Sequence, residues 1–65
     1  MNIIVNGENR NIINVNLTFA LDELGYKEIK LATALNGEFV SVQARDNINL
    51  KEGDKLEVLS PQQGG

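Results

Sequence analysis

Asn36-Gly37 is the strongest hairpin signal in this chain, because both residue types accept positive φ at little cost. The apolar run 31–35 precedes the pair and the run 38–42 follows it, so each predicts one strand. The turn sequence 6–9, Asn-Gly-Glu-Asn, follows the roughly alternating run 1–6, and residues 11–15 would form its returning strand. The sequence therefore predicts two β-hairpins.

A short helix is predicted between the two hairpins. Asn16 suits its N-cap, and Gly25 lies where a glycine ends a helix. The apolar residues between them share one stripe at helical spacing, namely Leu17, Ala20, Leu21 and Leu24. Residues 55–59 alternate as a last strand. These elements predict an α+β fold in which one short helix packs on one face of a mixed sheet of about five strands.

The absence of cysteine and histidine among the 65 residues removes many kinds of site. It excludes disulfides and the usual zinc, haem and iron–sulfur ligand sets, as well as a cysteine nucleophile or a histidine general base. Asp54 follows Gly53 and is interpreted as a turn residue. We expect no catalytic residue and no metal ligand in this chain.

The charge and hydropathy of the sequence restrict where the protein is located in the cell and what it binds. The net charge is −3 and the six basic residues are scattered, so no basic stripe suited to nucleic acid is present. No apolar run approaches the roughly 20 residues of a membrane helix, and the first residues lack the features of a signal peptide. We expect a cytoplasmic monomer that binds neither nucleic acid nor membrane.

Residues 60–65, Ser-Pro-Gln-Gln-Gly-Gly, have no periodicity and no apolar anchor. One interpretation is a frayed end, since such residues are common in disordered termini. The other is a working tail, because glycine lacks a Cβ and lets the backbone pass through a narrow site in another protein. The sequence thus divides into a domain, residues 1–59, and a flexible tail, residues 60–65, that ends in Gly64 and Gly65.

Taken in order along the chain, these features resemble one family. The opening hairpin, the helix 16–25, the turn 34–37 with Val40 after it, the segment 50–58 and the tail 61–65 are similar to those of ThiS proteins. ThiS proteins are small ubiquitin-like β-grasp sulfur carriers of thiamine (thiazole) biosynthesis. The resemblance covers essentially the whole chain, although Ser41-Val42 stands where many members have Pro-Arg.

The resemblance implies a carrier rather than an enzyme. In the family, an adenylating enzyme of the ThiF type uses Mg-ATP to adenylate the last glycine, which corresponds to Gly65. A cysteine desulfurase or a rhodanese-like protein then supplies sulfur, and the resulting thiocarboxylate donates it on a thiazole synthase of the ThiG type. Gly64 would give clearance inside the partner's site. The chain has no phosphate-loop motif, so we expect it to bind no cofactor of its own.

Strand alternation predicts a docking surface to accompany the tail. If Met1, Ile3 and Val5 face the helix, Ile4 lies on the open face of the sheet. The same reasoning places Phe39 and Leu59 outward. Exposed apolar residues that cluster on one uncovered face are typical of interfaces, so we predict that Ile4, Phe39 and Leu59 contact a partner.

Three other functions remain open at this point. A carrier of the MoaD type, for molybdopterin or another sulfur pathway, would use the same chemistry. A ubiquitin-like modifier conjugated to lysine would share the acyl-adenylate intermediate. A plain interaction module, in which the two glycines are incidental, would tolerate loss of Gly65.

Overall fold

The computed structural model describes residues 1–26 and 30–60. Its elements are β1 Asn2–Val5, β2 Glu8–Asn11, α1 Leu17–Glu23, β3 Ala32–Leu35, β4 Glu38–Val40, the 3₁₀ helix Arg45–Asn47 and β5 Lys55–Leu59. The strands form one mixed sheet with the order β2-β1-β5-β3-β4, in which β1 and β5 are parallel and the other neighbouring pairs are antiparallel. With one α-helix and one short 3₁₀ helix beside this sheet, the structure confirms the predicted α+β class.

Both Asn-Gly pairs form two-residue hairpin turns. Asn6 and Asn36 have φ of 50° and 51°, and the glycines that follow them have φ of 85° and 86°. Positive φ at both central residues is the requirement of a type I′ turn, whose twist matches that of the flanking strands. Val5 therefore pairs directly with Glu8 in the first hairpin.

The tight first turn corrects the predicted returning strand. Strand β2 covers Glu8–Asn11 rather than residues 11–15, because the turn ends at Gly7 and pairing starts again at once. Ile12 then leaves the strand and enters the core, where it is 1% exposed. The predicted strand 38–42 is also too long: β4 ends at Val40, since Ser41 opens a turn whose hydroxyl and carbonyl oxygens both accept from the Ala44 amide.

Helix α1 forms where its cap residues predict it. The Asn16 side chain accepts a hydrogen bond from the Thr18 amide at 3.0 Å, and Gly25 adopts a φ of 97° just beyond the last turn. The predicted stripe faces the sheet, with Leu17, Ala20 and Leu21 buried. No helix in the described part of the chain is long and apolar enough to cross a membrane.

The core fills the space between α1 and one face of the sheet. Alternate residues of the central strands, Ile3, Val5, Leu56 and Val58, point into it. Leu31, Val40 and Leu50 complete its sides. The residues between them on β5 point away from the helix, which leaves the opposite face of the sheet without a covering layer among the described residues.

One buried cation was not predicted. Arg45 in the 3₁₀ helix is 6% exposed, although the sequence around it is polar. Its Nε donates to Thr33 Oγ1 at 3.2 Å, and its Nη2 donates to the Leu31 carbonyl. The Thr33 hydroxyl in turn donates to the Val40 carbonyl. This network ties the segment after β4 to the start of β3.

Candidate docking face and carrier tail

Strand β5 organises the open face of the sheet. It lies between β1 and β3, and its last residue, Leu59, comes one residue before the last described residue of that segment, Ser60. Leu56 and Val58 are buried, whereas Lys55, Glu57 and Leu59 are exposed. The strand that leads into the predicted tail therefore also carries a line of exposed side chains.

The structure brings Phe39 and Leu59 to one shallow apolar depression. Phe39 is opposite Ala34 in the pairing of β4 with β3, and Ala32 is opposite Leu59 in the pairing of β3 with β5. The two alanines leave room between the larger side chains, so all four residues line the depression. Phe39 and Leu59 are 74% and 68% exposed, which makes them accessible to a partner.

Ile4 lies in a second depression beside the first. It is only half-buried, and the residues that share this depression come from the two hairpin turns and from β5: Gly7, Asn36, Gly37, Lys55, Leu56 and Glu57. Glu57 lines both depressions. The face thus has an apolar half near Leu59 and a half of mixed polarity near Ile4. The docking role of the three predicted residues stays a prediction.

Gly64 and Gly65 lie outside the described residues, as does every tail residue after Ser60. The last described residue before them, Ser60, follows Leu59, which lines the apolar depression.

Asp54 has a structural role in the turn before β5. One of its carboxylate oxygens accepts from the Lys51 amide at 2.8 Å, and the other accepts from the Asn36 side chain at 3.0 Å. The Asn36 side-chain oxygen accepts from the Lys55 amide at 3.0 Å, so the two turns are joined. Among residues 1–26 and 30–60, no group of three or more acidic side chains is arranged to hold a metal ion.

The carboxylate of Glu23 in α1 binds the backbone of the loop between β2 and α1. Glu23 accepts hydrogen bonds from the backbone amides of Asn14, at 3.0 Å, and Ile13, at 3.0 and 3.1 Å. The Asn14 side chain adds another at 2.9 Å. These bonds, the Asn14 amide first and the Ile13 amide second, lower the pKa of Glu23 below its usual value of 4.5.

We expect Glu23→Gln to remove part of the acid dependence of stability. Because the pKa of Glu23 is lower in the folded chain, its stabilisation is complete above the unfolded value and is lost as the pH falls through the folded value. Thermal unfolding from pH 7 to pH 3 should show a melting-temperature difference between wild type and variant that shrinks in acid. Glu38→Gln, at an exposed site, is the control. A difference that stays constant over this range would contradict the assignment.

Sequence reasoning missed Glu57 as a feature of the open face. The alternation of β5 already places Glu57 on the same face as Leu59. Only the strand pairing shows that Glu57 and Phe39 are both opposite Ala34, one on each side of β3. Arg45 was missed for a different reason: a charged side chain in a polar segment gives no signal of burial.

Taken together, the sheet order, the parallel pairing of β1 with β5 and the single helix on one face define a small β-grasp domain. The sequence model of the ThiS family matches residues 3–65, a span that includes both glycines. The chain belongs to the ThiS family.

Two solved structures from Geobacter metallireducens are similar to it. The crystal structure of its thiamine biosynthesis protein ThiS is 32% identical over 91% of both chains, with a TM-score of 0.81. The solution structure of a thiamine biosynthesis protein from that organism is 32% identical over 91% of this chain and 81% of the other, with a TM-score of 0.77. No curated protein matches the sequence.

Proposed function

We propose that this chain is a sulfur carrier of thiamine biosynthesis that holds sulfur as a thiocarboxylate on Gly65. The observation that carries the proposal is the family match from residue 3 to residue 65, which takes in the β-grasp domain and Gly64-Gly65 together. The two similar solved structures support the same pathway, since both are described as thiamine biosynthesis proteins.

The chemistry requires a second protein. A carboxylate is a poor acyl donor, so one of its oxygens first attacks the α-phosphate of Mg-ATP and pyrophosphate leaves. A persulfide sulfur then attacks the carbonyl carbon of the acyl-adenylate. AMP leaves and takes with it the carboxylate oxygen that had attacked the α-phosphate. A thiol finally reduces the acyl disulfide to the thiocarboxylate. The nucleotide chemistry is assigned to a ThiF-type partner, because this sequence contains no phosphate-loop motif.

The fold supports a division between a docked domain and an inserted tail. Residues 61–65 can span at most about 17 Å, at roughly 3.4 Å a residue. A partner that covers the depression of Phe39 and Leu59 would therefore meet the start of the tail at the edge of the contact. Gly64 would let the backbone pass between close walls, because it has no Cβ.

Intact-mass measurement is the direct test of this function. The chain is incubated with ATP, a ThiF-type enzyme from the same genome, a cysteine desulfurase and cysteine. We expect a gain of about 16 Da, which is the replacement of one oxygen by sulfur. Branched products with other proteins would indicate a lysine modifier instead, and an unchanged mass with release of neither AMP nor pyrophosphate would contradict the carrier proposal. Transfer of the sulfur to a ThiG-type synthase, rather than to a molybdopterin synthase, then identifies the pathway.

Leu59→Glu tests the docking depression. Leu59 is 68% exposed, so a charge there should leave the fold intact while it disrupts apolar contact with the partner. We expect the KM for this chain in AMP formation to rise about 10-fold or more, as for a residue central to an interface. Val15→Glu is the matched control, since Val15 is 48% exposed in the loop between β2 and α1 and lines neither depression. Equal KM values for the two variants, with equal melting temperatures, would contradict the docking role.

A further inference from the structure

Glu57 occupies the middle of β5, the central strand of the sheet, and its side chain is exposed on the open face. Its partner in the pairing with β3 is Ala34, and Ala34 in turn is opposite Phe39 on β4. Glu57 thus lines both the apolar depression and the neighbouring depression of mixed polarity.

No contact within the described part of the chain explains why a carboxylate lies at position 57. Within residues 1–26 and 30–60, the side chain of Glu57 makes no hydrogen bond and no ion pair, including none with Lys55 on the same face. The exposed side chains of Glu8 and Glu38 are likewise without a partner within these residues, but of the three only Glu57 lines the two depressions. Glutamate is also depleted in strands, so neither propensity nor bonding favours it at this position.

We propose that the adenylating partner places an arginine or lysine side chain against Glu57, within a ring of apolar side chains that cover Phe39 and Leu59. This inference rests on the proposed function. When the partner covers the depression, water is removed from around the carboxylate, and a buried charge without a counter-ion is costly. A cation at this point satisfies the carboxylate and disfavours partners that lack one.

The position of Glu57 gives this ion pair a further effect. Glu57 and Leu59 are two residues apart on the same face of β5, and residues 61–65 follow directly. A charge pair at Glu57 therefore sets the register of the docked sheet close to the point at which the tail departs. The pair selects the partner and positions the tail at the same time.

Binding measurements with charge variants test this inference without depending on sulfur transfer. The dissociation constant of the chain and the ThiF-type enzyme is measured by titration calorimetry in about 50 mM and about 500 mM NaCl. We expect Glu57→Lys to raise the Kd about 10-fold or more and Glu57→Gln to raise it less, with a weaker salt dependence in both. Glu8→Lys is the matched control, because it makes the same charge change at an exposed site on the far edge strand β2. We expect it to change the Kd less than about 2-fold.

The other outcomes distinguish failure of this inference from failure of the proposed function. An unchanged Kd for Glu57→Lys would show that the proposed ion pair does not form. Equal effects of Glu57→Lys and Glu8→Lys would show that the Kd depends on the net charge of the chain and not on the position of Glu57. If sedimentation shows that the wild type is a dimer, that Glu57→Lys is a monomer and that partner affinity is unaltered, Glu57 instead contacts a second copy. Absence of wild-type binding overturns both this inference and the proposed function. The expected Kd pattern without the mass gain of about 16 Da supports the ion pair and contradicts the sulfur transfer alone.

Discussion

One alanine added after Gly65 is expected to abolish thiocarboxylate formation completely. The added residue moves the reactive carboxyl by about 3.5 Å along the chain and puts a Cβ where the proposed partner's site accepts glycine. In-line attack on the α-phosphate depends on position at this scale, and a displacement of about 1 Å already lowers rates about 100-fold. Intact mass and AMP release after incubation with ATP, the ThiF-type enzyme and the sulfur source are the measurements.

The control for this variant is partner binding, because the docking face is unchanged. The extended chain should bind the ThiF-type enzyme with the affinity of the wild type while it releases no AMP. Deletion of Gly65 should give the same combination. An extended chain that keeps its added alanine and still gains about 16 Da would refute the proposed role of Gly65.

Arg45→Ala is expected to lower the free energy of unfolding by about 2 to 4 kcal/mol. Arg45 is 6% exposed, and its loss leaves the Leu31 carbonyl without that donor and a cavity where the aliphatic stem packs. A chain of 65 residues has little stability in reserve, so this loss is a large fraction of the total. Urea denaturation followed by circular dichroism gives the free energy directly.

Arg10→Ala is the matched control for Arg45. Arg10 is exposed on the edge strand β2, and its replacement should change the free energy of unfolding by less than about 0.5 kcal/mol. A loss at Arg45 no larger than that at Arg10 would show that the network with Leu31 and Thr33 does not stabilise the fold. Thermal melts should rank the two variants in the same order.

Local chemistry predicted the elements whose geometry depends on adjacent residues. The Asn-Gly pairs require positive φ at consecutive positions, and both adopt it. The Asn16 cap and the glycine at Gly25 mark the two ends of α1, because each acts on backbone groups within one turn. The alternation of residues 55–59 gave β5 its correct bounds.

The errors arose where an apolar residue lies in the loop next to a strand without belonging to that strand. Ile12 extended the predicted strand 11–15, yet it reaches the core from the loop after β2. Val42 extended the predicted strand 38–42, although it is 52% exposed in the turn after β4. Periodicity reports burial and exposure, and it does not distinguish a strand from a loop that passes the core.

By itself, the sequence determined the two hairpins, the helix ends, the absence of thiol and imidazole chemistry and the terminal Gly64-Gly65 motif. Each of these depends on residue type or on neighbours a few positions apart. Only the tertiary structure decided that Phe39 and Leu59 share a depression, that Ile4 lies in the next one and that Glu57 borders both. Ile4 and Phe39 are far along the chain from Glu57 and Leu59, and the insertion of β5 between β1 and β3 brings them together.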